Sequence, residues 1–199
     1  MIASKQFIMD GNTVGLLGGS FNPPHDGHVH ITHQALQSFR FKKVWWLVSP
    51  GNPLKIKSPT SIDIRVNECK KIIQDPRVMI LDIENRLNTQ FTAETLRKLF
   101  VAYPNTRFVW LMGADNLINF HKWEKWTWIM ENIPVGVMAR PGDTIRAGLS
   151  LTALRYQKFR VKSSYAGLMP FMNPPVWSLL GGPTRDVSST QIRCNVQRK

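Results

Sequence analysis

The stretch Gly18-Gly19-Ser20-Phe21-Asn22-Pro23-Pro24-His25-Asp26-Gly27-His28 follows a short apolar run, Val14-Gly15-Leu16-Leu17, and precedes an amphipathic segment. That order reads as strand, phosphate loop, helix, the opening of an α/β fold. Gly18 and Gly19 let backbone N–H groups approach an anion without side chains in the way. Pro23 and Pro24 have no N–H to donate and stiffen the turn. The helix is predicted to begin near His25 or Asp26, which brings its unsatisfied N–H groups and the positive end of its dipole to the same spot.

At about 100° per residue from His25, Val29, Ile31, Ala35, Leu36 and Phe39 share one broad face that includes His28, with His25 at its edge. His30 and His33, with Gln34, Gln37 and Arg40, fall on the opposite side. The histidines therefore divide into an inward and an outward pair. An inward histidine is most often a hydrogen-bonded core residue; here two lie one turn apart beside a glycine loop. A protein-built metal site is not expected, because the outward pair cannot join the inward pair and the only thiols, Cys69 and Cys194, have no close Cys or His spacing.

Downstream, Val44-Trp45-Trp46-Leu47-Val48 reads as a strand buried on both faces, ended by the breaker cluster Ser49-Pro50-Gly51-Asn52-Pro53. Lys55, just beyond, is either a surface lysine or a phosphate contact at the carboxyl edge of a sheet. A helix from Ser61 to about Gln74, a strand Val78–Leu81 and a loop Asp82 to Gln90 lead to a helix with Thr92 as its expected N-cap and Leu96, Leu99 and Phe100 on its apolar stripe. Phe108–Met112 is the next strand. Asp115, in the Gly-Ala-Asp turn that ends it, either caps a helix or accepts from a ribose hydroxyl. Alternating strands and helices predict a doubly wound, Rossmann-like, mostly parallel sheet with right-handed crossovers.

Val135–Ala139 is predicted as a fifth strand and Val176–Leu180 as a last one. Between them, Leu149–Val161 reads as a basic helix and Ser163–Pro175 as irregular. Near the end, Ser188-Ser189-Thr190-Gln191-Ile192-Arg193 has a capping-box pattern and marks a helix start. With no internal repeat or low-complexity linker, residues 1–199 are expected to form one domain, core about 13–195, with a small C-terminal helical part.

The 199 residues are 43% hydrophobic and carry a formal charge of +13, which points to anionic partners: nucleic acid, phosphorylated small molecules, or only solvent for much of a basic face. No apolar stretch is long enough to span a bilayer, Met1 to Asp10 lack a secretory core, and two distant cysteines suggest a reducing compartment. The expectation is a cytoplasmic protein with no membrane partner; a homo-oligomer is left open.

The glycine-histidine loop resembles the signature of the nucleotidyltransferase superfamily, whose His-x-Gly-His element binds triphosphate, and its Gly-Gly-Ser-Phe-Asn-Pro-x-His form is most similar to bacterial nicotinate-mononucleotide adenylyltransferases. Tyr103-Pro104, Gly113-Ala114-Asp115, Trp123, Arg140-Pro141-Gly142 and Ser188–Arg193 continue the resemblance in the family's order. Phe91 stands where the family often has Tyr, and Asn22 where many members have Asp. The resemblance implies transfer of AMP from ATP to nicotinate mononucleotide, giving deamido-NAD and pyrophosphate, with Mg²⁺ held mainly by ATP phosphates. It implies that Gly18, Gly19, Ser20, Phe21, His25, His28, Asp115, Ser189, Thr190 and Arg193 serve ATP, that His28 and His25 are catalytic, and that Lys55, Phe91, Thr92 and Trp123 receive the mononucleotide, Trp123 stacking on its ring. Two other readings stay open: a relative that uses nicotinamide mononucleotide or another phosphorylated acceptor, and, more remotely, a nucleic-acid-binding module, which gives His25, His28 and Ser188–Arg193 no shared purpose, so no nucleic-acid partner is expected.

Overall fold

Six strands, β1 (Thr13–Gly19), β2 (Lys43–Val48), β3 (Val78–Leu81), β4 (Arg107–Gly113), β5 (Val135–Met138) and β6 (Trp177–Leu180), form one parallel sheet in the order β3-β2-β1-β4-β5-β6. This is a computed structural model that describes residues 12–50, 60–140 and 142–181. A parallel sheet covered on both faces needs strands that are apolar throughout. Val44 to Val48 in β2 meet that demand, none more than 1% exposed. Successive side chains point to opposite faces, so Trp45 joins one core and Trp46 the other, as do Leu16 and Leu17.

One face is covered by α1 (Asp26–Ser38), α2 (Ile62–Ile72) and a 3₁₀ segment, Ser163–Phe171, through Ile31, Ala35, Leu36, Cys69, Ala166 and Met169. The other is covered by the one-turn α3 (Ile83–Arg86), α4 (Thr92–Ala102), α5 (Ala114–Asn119), α6 (Trp126–Asn132), α7 (Thr144–Gly148) and α8 (Leu151–Arg155). The strand order reverses between β1 and β4, and in such sheets ligands bind outside the carboxyl ends of the strands at that point. The loop from Gly18 to His25 leaves β1 there.

Four local expectations are corrected. Asp82 to Gln90 is not all loop, since α3 forms within it. The N-cap of α4 is Phe91, one residue before Thr92; its backbone is extended and no side chain caps the turn. Leu149 to Val161 is not one helix. Ser150 accepts from the Ala153 N–H (3.3 Å) and starts α8 afresh; after Arg155 the chain tightens into a 3₁₀ turn, Gln157–Phe159, in which the Tyr156 carbonyl accepts from both the Phe159 N–H (3.0 Å) and the Trp177 indole N–H (2.8 Å). Ser163–Phe171 is helical in the 3₁₀ sense, where an irregular stretch is expected.

The basic excess has a partial structural use. Arg97, Arg107, Arg155 and Arg160 lie over the rings of Trp128, Phe171, Trp126 and Trp177, at 4.5, 5.1, 5.6 and 5.3 Å from the ring centres. Such contacts stabilise by about 0.5–1 kcal/mol each near a surface. Two of these residues, Arg155 and Arg160, belong to the basic stretch.

Burial of Glu84, only 5% exposed in α3, raises its carboxyl to about 7. Its folded pKa thus exceeds the unfolded value of 4.5, so the native state keeps a proton that the unfolded chain loses. Stability therefore falls as pH rises from 4.5 to about 7 and stays at the lower level above. Glu84→Gln is expected to raise the melting temperature at pH 8, by the equivalent of at most about 3 kcal/mol, and to change it little at pH 4. Equal shifts at both pH values in thermal scans would contradict the assignment.

Candidate active site

His25 is the N-cap of α1, with extended backbone, and is 4% exposed. The Gly27 N–H donates to His25 Nδ1 (3.1 Å), and the His25 N–H donates to His28 Nδ1 (3.2 Å). Each Nδ1 is thereby an acceptor, so each neutral ring carries its proton on Nε2 and presents an N–H donor there. The two rings lie 3.9 Å apart. Burial, with Arg140 nearby, lowers His25 to about 4, and burial, the His25 charge and Arg140 hold His28 well below 6.5. At neutral pH the start of α1 therefore offers two uncharged imidazole donors beside the helix dipole. Of the outward pair, His33 is exposed and His30 half-buried.

The loop before them is tightly held. Asn22–Pro23 is a cis peptide, and Phe21 has φ +45°, a left-handed conformation that costs a non-glycine residue about 1–2 kcal/mol. Such a residue persists where its surroundings over-determine it. The Phe21 ring, 1% exposed, stacks on Trp46 at 4.8 Å and lies 4.6 Å from the His28 ring. Trp46 is fixed in turn by its N–H bond to Thr32 Oγ1 (2.7 Å) on α1.

Gly18 is glycine because the Trp110 indole lies against its Cα, where a Cβ would overlap the ring. Trp110 also packs edge-on against Trp123 at 6.2 Å, so the Gly18–His25 loop, Trp110 and Trp123 form one contiguous run. Gly18→Ala is expected to destabilise the fold by about 1–3 kcal/mol through overpacking. Denaturant unfolding of the pure variant tests this, and an unchanged midpoint contradicts it.

At the carboxyl end of β4, Asp115 and Arg140 face each other over Gly113, Oδ1 to Nε 3.3 Å, and a Cβ on Gly113 would come within 2.9 Å of Arg140 Nε. Asp115 does not cap α5, whose N-cap is Gly113. Its Oδ1 is buried without hydrogen-bond geometry to any partner, leaving acceptor capacity unused among the described residues. Arg140, just beyond β5, joins this group, although the motif Arg140-Pro141-Gly142 implies no role for it. Its charge reaches both histidines and Asp115, so it links the start of α1 to the Gly-Ala-Asp turn.

Trp123 is half-buried, packed on Trp110 and, at 5.0 Å, on Phe120. Phe91 and Thr92 open α4, which runs back from β3 toward the start of β4, so this helix start also lies at the carboxyl edge of the sheet. Gly19 and Ser20 are half-exposed in the loop. Lys55, Ser189, Thr190 and Arg193 lie outside the described residues.

Comparison with known proteins decides what this arrangement belongs to. The family model described as cytidylyltransferase-like matches residues 16–195. A Ruegeria sp. (strain TM1040) protein named "Probable nicotinate-nucleotide adenylyltransferase" is 53% identical over 181 residues, 91% of this chain and 96% of the relative. The chain belongs to the nicotinate-nucleotide adenylyltransferase family. A family member of the same name from Parvibaculum lavamentivorans is 43% identical over 96% of both chains. Among solved structures, Plasmodium falciparum nicotinic acid mononucleotide adenylyltransferase complexed with NaAD superposes with a TM-score of 0.72 at 17% identity, over 92% of this chain and 83% of that one. At that identity the match confirms the fold, a parallel α/β sheet of Rossmann type.

Proposed function

We propose that this chain transfers AMP from ATP to nicotinate mononucleotide. An oxygen of the mononucleotide phosphate attacks the ATP α-phosphorus in line, the bond to the β-phosphate oxygen breaks, and deamido-NAD and pyrophosphate are formed. The reading rests on the two Nε2–H donors of His25 and His28 at the start of α1, together with the family to which the chain belongs. No protein nucleophile is required, since the acceptor carries its own. Catalysis is then positioning and charge stabilisation.

In this proposal the Gly18–Phe21 backbone and His25 hold the triphosphate, and His28 donates to α-phosphate oxygens as charge builds. Arg140 adds positive potential, and Asp115 uses its free acceptor capacity on the ribose. Ser189, Thr190 and Arg193 keep the role that the family resemblance gives them, the pyrophosphate end of ATP. Lys55, Phe91, Thr92 and Trp123 receive the mononucleotide. Among the described residues no three His, Cys, Asp or Glu side chains converge as a metal set. Mg²⁺ enters this reading as part of the substrate, carried on ATP oxygens. No helix among the described residues is long and apolar enough to cross a membrane, and a cytoplasmic setting is part of the same reading.

The test is to offer ATP with nicotinate mononucleotide, and separately with nicotinamide mononucleotide, and to measure pyrophosphate. Release with the acid form supports the reading. Release with neither overturns it, and release with the amide alone assigns the acceptor to the relative instead.

A further inference from the structure

Arg65 is a charged residue buried to 1% exposure in α2, and among the described residues its hydrogen bonds all go to backbone carbonyls. Nε donates to Thr60 O (2.7 Å), Nη1 to Ser20 O (2.6 Å) and Ser49 O (2.7 Å), and Nη2 to Pro50 O (3.2 Å). Among the described residues it has no carboxylate partner. A buried cation is unfavourable unless paired, so a guanidinium kept here without an anion calls for a reason beyond packing.

Its targets supply one. Ser49 and Pro50 follow β2, and Ser20 follows β1; the two strand ends are already joined by the Ser49 N–H to the Gly19 carbonyl (3.0 Å). Arg65 adds the next carbonyl along the glycine loop. In a trans peptide the C=O and N–H point opposite ways, so pulling the Ser20 carbonyl toward α2 turns the Phe21 N–H away from α2. Phe21 is the residue in the left-handed conformation, and its ring is held separately by Trp46. The peptide is thus fixed on one side by a guanidinium and on the other by an aromatic stack.

We propose that Arg65 is a positioning residue for the phosphate loop: it holds the Ser20–Phe21 peptide so that the Phe21 N–H serves the ATP phosphates, and its charge, unmatched by any acid of the described chain, is balanced by those phosphates. The inference rests on the proposed function. Arg65 touches no substrate and acts through the loop. A planar fork is needed to serve several carbonyls at once, which an ammonium cannot reproduce.

The experiment uses the full chain with Arg65→Lys and Arg65→Ala, and measures melting temperature, KM for ATP and for nicotinate mononucleotide, and calorimetric binding of ATP alone. Arg65→Lys is expected to raise KM for ATP about tenfold or more while KM for the mononucleotide stays within about twofold, since one lost charge-assisted bond at the loop is enough for that change. Arg65→Ala is expected to lose more, and millimolar guanidinium ion to restore part of its ATP affinity. The inference is overturned if the folded lysine variant binds ATP as the parent does, if both KM values rise together, if guanidinium restores nothing, or if neither variant folds, since Arg65 is then structural only. Failure of the unaltered enzyme to bind ATP overturns the proposed function instead.

Discussion

His28→Ala is expected to lower kcat by about 10²–10³, the usual cost of removing one preorganised donor from developing charge. The argument is geometric. His28 accepts at Nδ1 from the His25 N–H, so its Nε2–H is the group left for a ligand, and burial with Arg140 keeps the ring neutral before substrate enters. Alanine also removes an acceptor from the first turn of α1, which costs about 1 kcal/mol of stability. His28→Asn separates the two effects, because an amide oxygen can take the His25 N–H while no donor reaches the former Nε2 position. Its kcat should fall as far as that of the alanine variant, with the melting temperature closer to the parent. His33→Ala, on the exposed side of α1, should leave turnover unchanged. Initial rates at saturating ATP and mononucleotide decide the matter: equal losses at His28 and His33 would remove His28 from the mechanism.

The central strands were legible because burial on both faces demands uninterrupted apolar runs, and Val44–Val48 and Phe108–Met112 are such runs. The inward placing of His25 and His28 was legible for a related reason, since helical spacing alone puts them on the side of Ile31 and Ala35. What the spacing could not reveal was long-range hydrogen bonding. Where Leu149 to Val161 divides, the Tyr156 carbonyl serves both a 3₁₀ bond from Phe159 and the indole of Trp177, distant in sequence. The shift of the α4 cap from Thr92 to Phe91 is a one-residue matter of backbone conformation, to which propensity is blind. Arg65 did leave a trace: Ile62, Val66, Cys69 and Ile73 follow helical spacing on the inward side of α2, and Arg65 interrupts that stripe with a charge. A charge inside an apolar stripe signals a buried polar task, although carbonyls at the ends of β1 and β2 as its partners become visible only in the fold. Arg140 left less, one arginine before a Pro-Gly turn.

The preference for acid over amide acceptor is expected to be about 10² or more in kcat/KM, and the first turn of α4 is its proposed source. Nicotinate and nicotinamide mononucleotides differ by a carboxylate against an amide and present similar ring faces. Stacking on Trp123 therefore separates them weakly. Hydrogen bonds must do the rest. Phe91, as N-cap, has no side-chain oxygen with which to cap its helix, and although the Glu94 N–H donates to the Phe91 carbonyl (3.0 Å), the Thr92 and Ala93 N–H groups have no acceptor among the described residues and are left for an external one with the positive dipole end behind them. A carboxylate can accept from two such donors, whereas the NH₂ of an amide meets donors with a donor. Charge-assisted bonds contribute about 1.5–3 kcal/mol each, so two are enough for the stated ratio. Two substitutions distinguish the sources. Trp123→Ala should lower kcat/KM for both acceptors and leave their ratio nearly as it was. Phe91→Asp brings a side-chain carboxylate to the N-cap, where it takes an N–H for itself and repels the incoming acid, so the ratio should fall toward unity. If Trp123→Ala alone erases the preference, or Phe91→Asp folds and leaves it intact, discrimination lies elsewhere than in the start of α4.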